Sequence, residues 1–165
     1  MKKLSTMLWF DHQAEEAARF YTSLFPGGKI TATSRYAESA SAVGAKAGSV
    51  MTVVFEMLGQ EFIALNGGPH FKFNEAVSFV IPCETQAEVD AYWAKLTADG
   101  GSESQCGWCK DKFGVSWQVT PNILEMNYRT DGTKKDPKKA DAMFRAMLTM
   151  KKLDIAKLQE AYDRG

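Results

Sequence analysis

Apolar residues recur along this chain in two rhythms that alternate. Over residues 13–24, Ala17, Phe20, Tyr21 and Leu24 fall on one face of a helix, and over residues 86–97 Val89, Trp93 and Leu96 do the same. Each helical window follows a run with strand character, at 6–10 and 77–81. After the first helix, strands are expected at 29–35, 50–57 and 61–66, the last two joined by a turn at Leu58-Gly59-Gln60. After the second, residues 103–106 form a weak strand, and 115–120 and 123–128, rich in β-branched and aromatic residues, are separated by Pro121-Asn122. Each half therefore reads β-α-β-β-β.

The halves are also related residue by residue. A shift of 73 positions lays Gln13-Ala14-Glu15 on Gln86-Ala87-Glu88, Ala18 on Ala91, Phe20 on Trp93 and Gly27-Gly28 on Gly100-Gly101, six identities in sixteen positions. Both helices stop at a Gly-Gly, where a glycine can take the left-handed conformation that ends a helix. The second begins at a capping box, with Thr85 at the N-cap and Glu88 three residues on.

Two segments stand outside the repeat. Residues 37–48 are almost all small and offer little to anchor in a core, so a mobile loop is expected, either a lid over a pocket or a plain connection. Beyond the polar run 129–139, Pro137 marks a helix start; Met143, Phe144, Met147 and Leu148 recur at helical spacing, followed by Leu153, Ile155, Leu158 and Tyr162. These two amphipathic segments need a surface to cover, on their own domain or on a second subunit.

Composition narrows the class. With 165 residues, 45% apolar, one domain with a real core is expected, and 20 basic against 20 acidic residues give no overall field toward nucleic acid or an anionic membrane. The longest apolar stretches, such as 50–55, are far shorter than the roughly 20 residues of a membrane span. No signal-peptide pattern is visible, and the three cysteines do not form a secreted disulfide framework, so a cytoplasmic protein with reduced thiols is expected.

Several motifs join the tandem modules: Leu8-Trp9-Phe10-Asp11, Ala64-Leu65-Asn66-Gly67-Gly68-Pro69, Cys106-Gly107-Trp108, the run from Lys110 to Gln118, and the tail segment Met150-Lys151-Lys152-Leu153-Asp154-Ile155-Ala156. Together they resemble the PhnB-like branch of the vicinal oxygen chelate (glyoxalase and bleomycin-resistance) superfamily, often labelled 3-demethylubiquinone-9 3-methyltransferase-like. The resemblance implies an α+β fold in which tandem βαβββ modules form a curved mixed sheet around a cavity. On this reading residues 1–128 form the glyoxalase-like domain, with modules at about 1–70 and 76–128, and residues 129–165 a helical extension. The ligand site is then expected inside the paired concave sheets.

Metal-dependent members of that superfamily hold a divalent ion on His and Glu side chains at four related strand positions. Here those positions fall near Thr6, at Ala64 or Asn66, at Ser78 and at Gln118. Neutral oxygen donors bind transition metals weakly beside imidazole and carboxylate sets, so no metal or other cofactor is expected, with a divalent metal as the alternative. The resemblance places Trp9, Trp117 and Gln118 on or beside the inner faces, and the expected ligand-binding set is Trp9, Asp11, Asn66, His70, Ser78, Cys106, Trp108, Trp117 and Gln118.

Other groups are read more plainly. His12 is expected to be exposed or capping, and Asp111, flanked by Lys110 and Lys112, to sit in a surface ion pair. Cys106 and Cys109 have C-x-x-C spacing but no helix start to activate a thiol, so Cys106 is expected near the cavity wall and Cys109 receives no role. No G-x-G-x-x-G or P-loop is present to hold a nucleotide-type methyl donor. The expected function is binding of a small organic molecule by a homodimer; the alternative is a lyase, isomerase or group-transfer enzyme using His70, Asp11 and Gln118.

Overall fold

The structure, a computed structural model, describes residues 4–124 and 136–165. It divides into two compact units, residues 1–73 and 74–165. The α+β, tandem βαβββ expectation is met, because each unit holds a four-stranded mixed sheet with a helix against it.

In the first unit β1 (Thr6–Phe10) leads into α1 (Ala14–Leu24), followed by β2 (Lys29–Arg35), β3 (Val50–Met57) and β4 (Gln60–Asn66) in the sheet order β1-β4-β3-β2. β1 runs parallel to β4, with Phe10 opposite Asn66, and the other pairs are antiparallel. Strand alternation turns Leu8, Phe10, Val53, Phe55, Phe62 and Ala64 toward α1, where all are buried. Ala14, Ala17 and Ala18 are fully buried, letting the helix approach closely, and Tyr21 stacks on Phe55, which stacks on Phe62. Leu58 and Gly59, at φ 50° and 76°, close the β3–β4 hairpin in a two-residue turn with both central residues left-handed.

The second unit repeats the order with β5 (Ser78–Cys83), α2 (Gln86–Thr97), β6 (Ser102–Glu103), β7 (Trp108–Lys110) and β8 (Ser116–Pro121), arranged β5-β8-β7-β6. The capping box forms as expected: Glu88 N donates to Thr85 Oγ1 at 3.2 Å, and Thr85 N to Glu88 Oε2 at 3.1 Å. The Gly-Gly pairs divide their work. Gly27 and Gly100 take φ 74° and 106°, while a Cβ at Gly28 or Gly101 would lie 2.3 or 2.2 Å from a carbonyl of the preceding helix.

One strand differs from expectation. The last strand of the second repeat is not the one expected at 123–128: residues 122–124 are helical and 125–128 lie outside the described residues, so the run expected at 115–120 ends the repeat as β8 and the short β7 precedes it. Three residues, Trp108-Cys109-Lys110, are too few to show an alternating pattern, and Pro121 closes β8, where its missing N–H breaks no ladder.

Two further helices belong to the second unit, α3 (Pro137–Leu148) and α4 (Ile155–Arg164), each with an aspartate at its N-cap, Asp136 and Asp154. Pro137 opens α3 as the sequence indicates. Leu124, Met143, Leu153 and Leu158 form a buried cluster against which Ile123, Met147, Met150 and Tyr162 pack. The connection between the helices is bound to the repeat: Cys106 N donates to Met150 O (2.7 Å), Gly107 N to Lys151 O (2.8 Å), and Gln86 bonds Leu153 O and Ile155 N through its amide. Among the described residues no helix is long and apolar enough to cross a membrane.

Candidate functional site

A pocket of ≈ 880 Å³ opens in the first unit, where β1 and β4 end and α1 begins. Its floor comes from Trp9, Asp11 and Asn66, one side from the α1 start with His12 and Glu15, and the far wall from the loop 66–70 with His70. The small-residue segment supplies the remaining side through Tyr36, Gly44, Ala45 and Ser49. That segment is not structureless: it makes a short 3-10 helix at Glu38–Val43 and is closed at its base by Tyr36 N to Ser49 O (2.9 Å) and Gly48 N to Tyr36 O (2.8 Å).

The walls are built by local necessity. Trp9 donates its indole N–H to Gly68 O at 2.8 Å and meets Phe71 edge-on at 4.9 Å. A Cβ on Gly67 would stand 2.2 Å from the indole, so only glycine lets this loop press on the ring. Asn66 shares the helix-facing side of β4 with Phe62 and Ala64, and there it caps α1 from outside: Oδ1 accepts from Ala14 N (2.8 Å) and Nδ2 donates to Val50 O (3.0 Å). α1 has no capping side chain of its own at Gln13. Tyr36 Oη completes the frame by donating to Asn66 O at 2.5 Å.

Of the expected cavity residues, Trp9, Asp11, Asn66 and His70 come together in this pocket. Ser78, Trp108 and Gln118 lie on the second sheet, on the face away from α2. There Gln118 Nε2 donates to Ser78 Oγ at 2.9 Å, and a smaller hollow of ≈ 250 Å³ is lined by Trp108, Lys110, Glu75 and Ser116 among others, with Lys110 paired to Glu75. That pairing, chiefly through its hydrogen bond, holds the Glu75 carboxyl below its usual range. Cys106 is half-buried in the turn before β7 at φ 59°.

Trp117 does not face inward. Alternation along β8 puts it with Val119 on the helix-covered side, 1% exposed and opposite Cys109. Its indole N–H donates at 2.8 Å to Asp111, which is no surface ion pair but a buried carboxylate, 2% exposed, that also accepts from Phe113 N and Val115 N. The run from Lys110 to Gln118 thus holds the pinned turn between β7 and β8. Burial, then the Asp111 charge, pushes the Cys109 thiol up to about 12, and burial pushes Cys83 to about 11, which makes both poor nucleophiles. His12 is exposed, 3.4 Å from Asp11.

The donor set does not suit a chelated metal. Thr6 and Ala64 lie on the side of the sheet covered by α1, Asn66 spends both amide atoms on the frame, and Ser78 and Gln118 are bonded to each other. Among the described residues no group of three or more His, Cys, Asp or Glu side chains is placed to hold an ion. Sequence reasoning missed Tyr36 and Glu15 as pocket walls. The signal for Glu15 was its place opposite Glu88 in the repeat; for Tyr36 there was none short of the fold.

Residues 2–120 match the family model described as 3-demethylubiquinone-9 3-methyltransferase. A PhnB protein from Bacillus cereus is 37% identical, with TM-score 0.64 over 73% of this chain and 99% of its own. Protein PA1353 from Pseudomonas aeruginosa shares the fold, at 18% identity and TM-score 0.57 over 73% of this chain and 98% of its own. A glyoxalase/bleomycin resistance protein from Albidiferax ferrireducens T118 is also similar, at 16% identity and TM-score 0.41 over 68% of this chain and 92% of its own. A search of curated proteins gave no match. With a family model spanning most of its length and a PhnB protein 37% identical over 73% of it, the chain belongs to the 3-demethylubiquinone-9 3-methyltransferase (PhnB-like) family.

Proposed function

We propose that this chain is a binding protein of the glyoxalase/bleomycin-resistance type that takes a small organic molecule into the pocket of its first repeat, without a chelated metal ion. The observation that carries the reading is the pocket itself. Its ≈ 880 Å³ falls within the about 300–1,000 Å³ usual for small-molecule sites, and its aromatic wall is fixed by hydrogen bonds and glycine packing rather than left to rotate. A preorganised wall loses little freedom when a ligand arrives. The metal-free part of the reading is supported by the donor chemistry at the strand positions described above.

Native mass spectrometry of the full chain purified from its own host, followed by ligand-observed NMR against a fragment library, tests the proposal. Binders are expected, and they should be lost in Trp9→Phe or Gly67→Ala variants that still melt as folded proteins. Binders indifferent to both changes would contradict it. In a divalent-metal titration no stoichiometric tight ion is expected, and one held by Ser78 and Gln118 would overturn the metal-free reading.

The same reading takes the chain to be cytoplasmic and to work as a homodimer. It is supported by three free thiols and by Phe144 and Leu148, one helical turn apart on α3 and 41% and 52% exposed. Light scattering that returns a monomer mass would set the dimer aside.

A further inference from the structure

We propose that the pocket of the first repeat selects an organic cation, a small apolar or aromatic body carrying a protonated amine; this rests on the reading of that pocket as a ligand site. The inference comes from counting what its walls have left to offer. Histidines apart, four neutral side chains among the described residues of the pocket can donate a hydrogen bond, and each donates to a backbone carbonyl: Trp9 to Gly68 (2.8 Å), Tyr36 to Asn66 (2.5 Å), Asn66 to Val50 (3.0 Å) and Ser49 to Lys46 (2.5 Å). Part of the lining backbone is spent in the same way. Gly67 N and Gly68 N donate to Phe10 O and Asp11 O, and Gly44 N and Ala45 N to Ser41 O and Ala40 O.

The charged and ring groups decide. Asp11 and Glu15 bring two carboxylates to the wall, and among the described residues no lysine or arginine lines it. Arg19 reaches Glu15 at 2.7 Å and His12 reaches Asp11 at 3.4 Å, but Arg19 and His12 are 68% and 78% exposed, so these contacts yield readily to a competing cation. His12 and His70, the other polar groups on the wall, each present one acceptor and one donor nitrogen when neutral, so they favour neither sign of ligand. A carboxylate or phosphate ligand would meet the like charge of Asp11 and Glu15, with the donors of Trp9, Tyr36, Asn66 and Ser49 already used. A protonated amine would find charge-assisted acceptors and the ring surfaces of Trp9 and Tyr36.

Three probes with one ring and different heads separate the possibilities: 2-phenylethylamine, 3-phenylpropionate and 3-phenylpropan-1-ol, titrated into the full-length chain while the Trp9 indole N–H is followed by NMR. The amine is expected to bind at least about tenfold more tightly than the other two. The Asp11→Asn and Glu15→Gln double variant should shrink that preference to about twofold, and added salt should weaken the amine alone. Equal or tighter binding of the acid or the alcohol at Trp9 would overturn the cation inference and leave the pocket standing as a ligand site. Amine binding untouched by the double variant would overturn it as well. If no probe moves the Trp9 signal, both readings fall.

Discussion

The two repeats handle the same end of the same module in opposite ways. In the second, the helix start is closed twice: Thr85 and Glu88 complete a capping box, and Gln86 clasps Leu153 and Ile155 of the segment joining α3 to α4. In the first, the 73-residue shift puts His12 where Thr85 stands and Glu15 where Glu88 stands. Histidine does not complete the box, so Asn66 caps the helix from across the sheet and Glu15 turns to the pocket wall. Where the second repeat has Pro121 opposite Cys83, the first has Asn66 opposite Phe10, so one position of the duplicated module has become either a strand end or a site frame. Of two corresponding ends, the tail is bound to one, and the other opens into the pocket.

Breaking the cover should be the largest perturbation. Leu153 is fully buried against Gly107 and the tail cluster, so Leu153→Ala should destabilise the protein by about 2–5 kcal/mol in urea unfolding while leaving fragment binding at Trp9 unchanged. Asp111→Ala comes next. The first repeat turns its hairpin in two residues, but the second needs a longer turn held by this one carboxylate, and removing it strands three donors, for a loss of about 3 kcal/mol.

The caps sharpen the contrast further. Thr85→Ala should cost about 1 kcal/mol and spare the pocket. Asn66→Ala should cost about 2 kcal/mol, because a cap and the bond to Val50 go together, and it should also weaken binding. Lys152→Gln should have the smallest effect. The Lys152 partner holds the exposed Asp90 carboxyl below its usual 3.8, so its contribution is present above that pH and is lost as pH falls through the lower folded value. Acid unfolding curves of wild type and Lys152→Gln should converge at low pH and differ slightly near neutrality.

Local signals carried far in this sequence. The capping box, Pro137 and the β3–β4 hairpin are all decided by neighbours within a few residues, and all appear as expected, while the helices end just before the Gly-Gly pairs, at extended C-caps Phe25 and Ala98. What escaped depends on partners far along the chain. Asp111 is flanked by lysines, but the fold buries it under Trp117. Trp117 and Gln118 are adjacent, so strand alternation had to send one inward and one outward, and the motif alone does not say which. Asn66 looked like a ligand donor because nothing local reveals that Ala14, 52 residues away, needs a cap. Four residues of the pocket, Trp9, Asp11, Asn66 and His70, were legible because they belong to or follow the motifs at the ends of β1 and β4; Tyr36 required the fold.

The central claim, that the open end of the first repeat is the ligand site and the corresponding end of the second is sealed by the tail, is tested most directly by chemical-shift mapping of a bound amine probe on the isotopically labelled full chain. Shifts should concentrate at Trp9, residues 36–50 and residues 66–70, with Gln86, Gly107 and residues 150–155 unmoved. Shifts centred on Ser78, Trp108 and Gln118 with the Trp9 indole silent would contradict it.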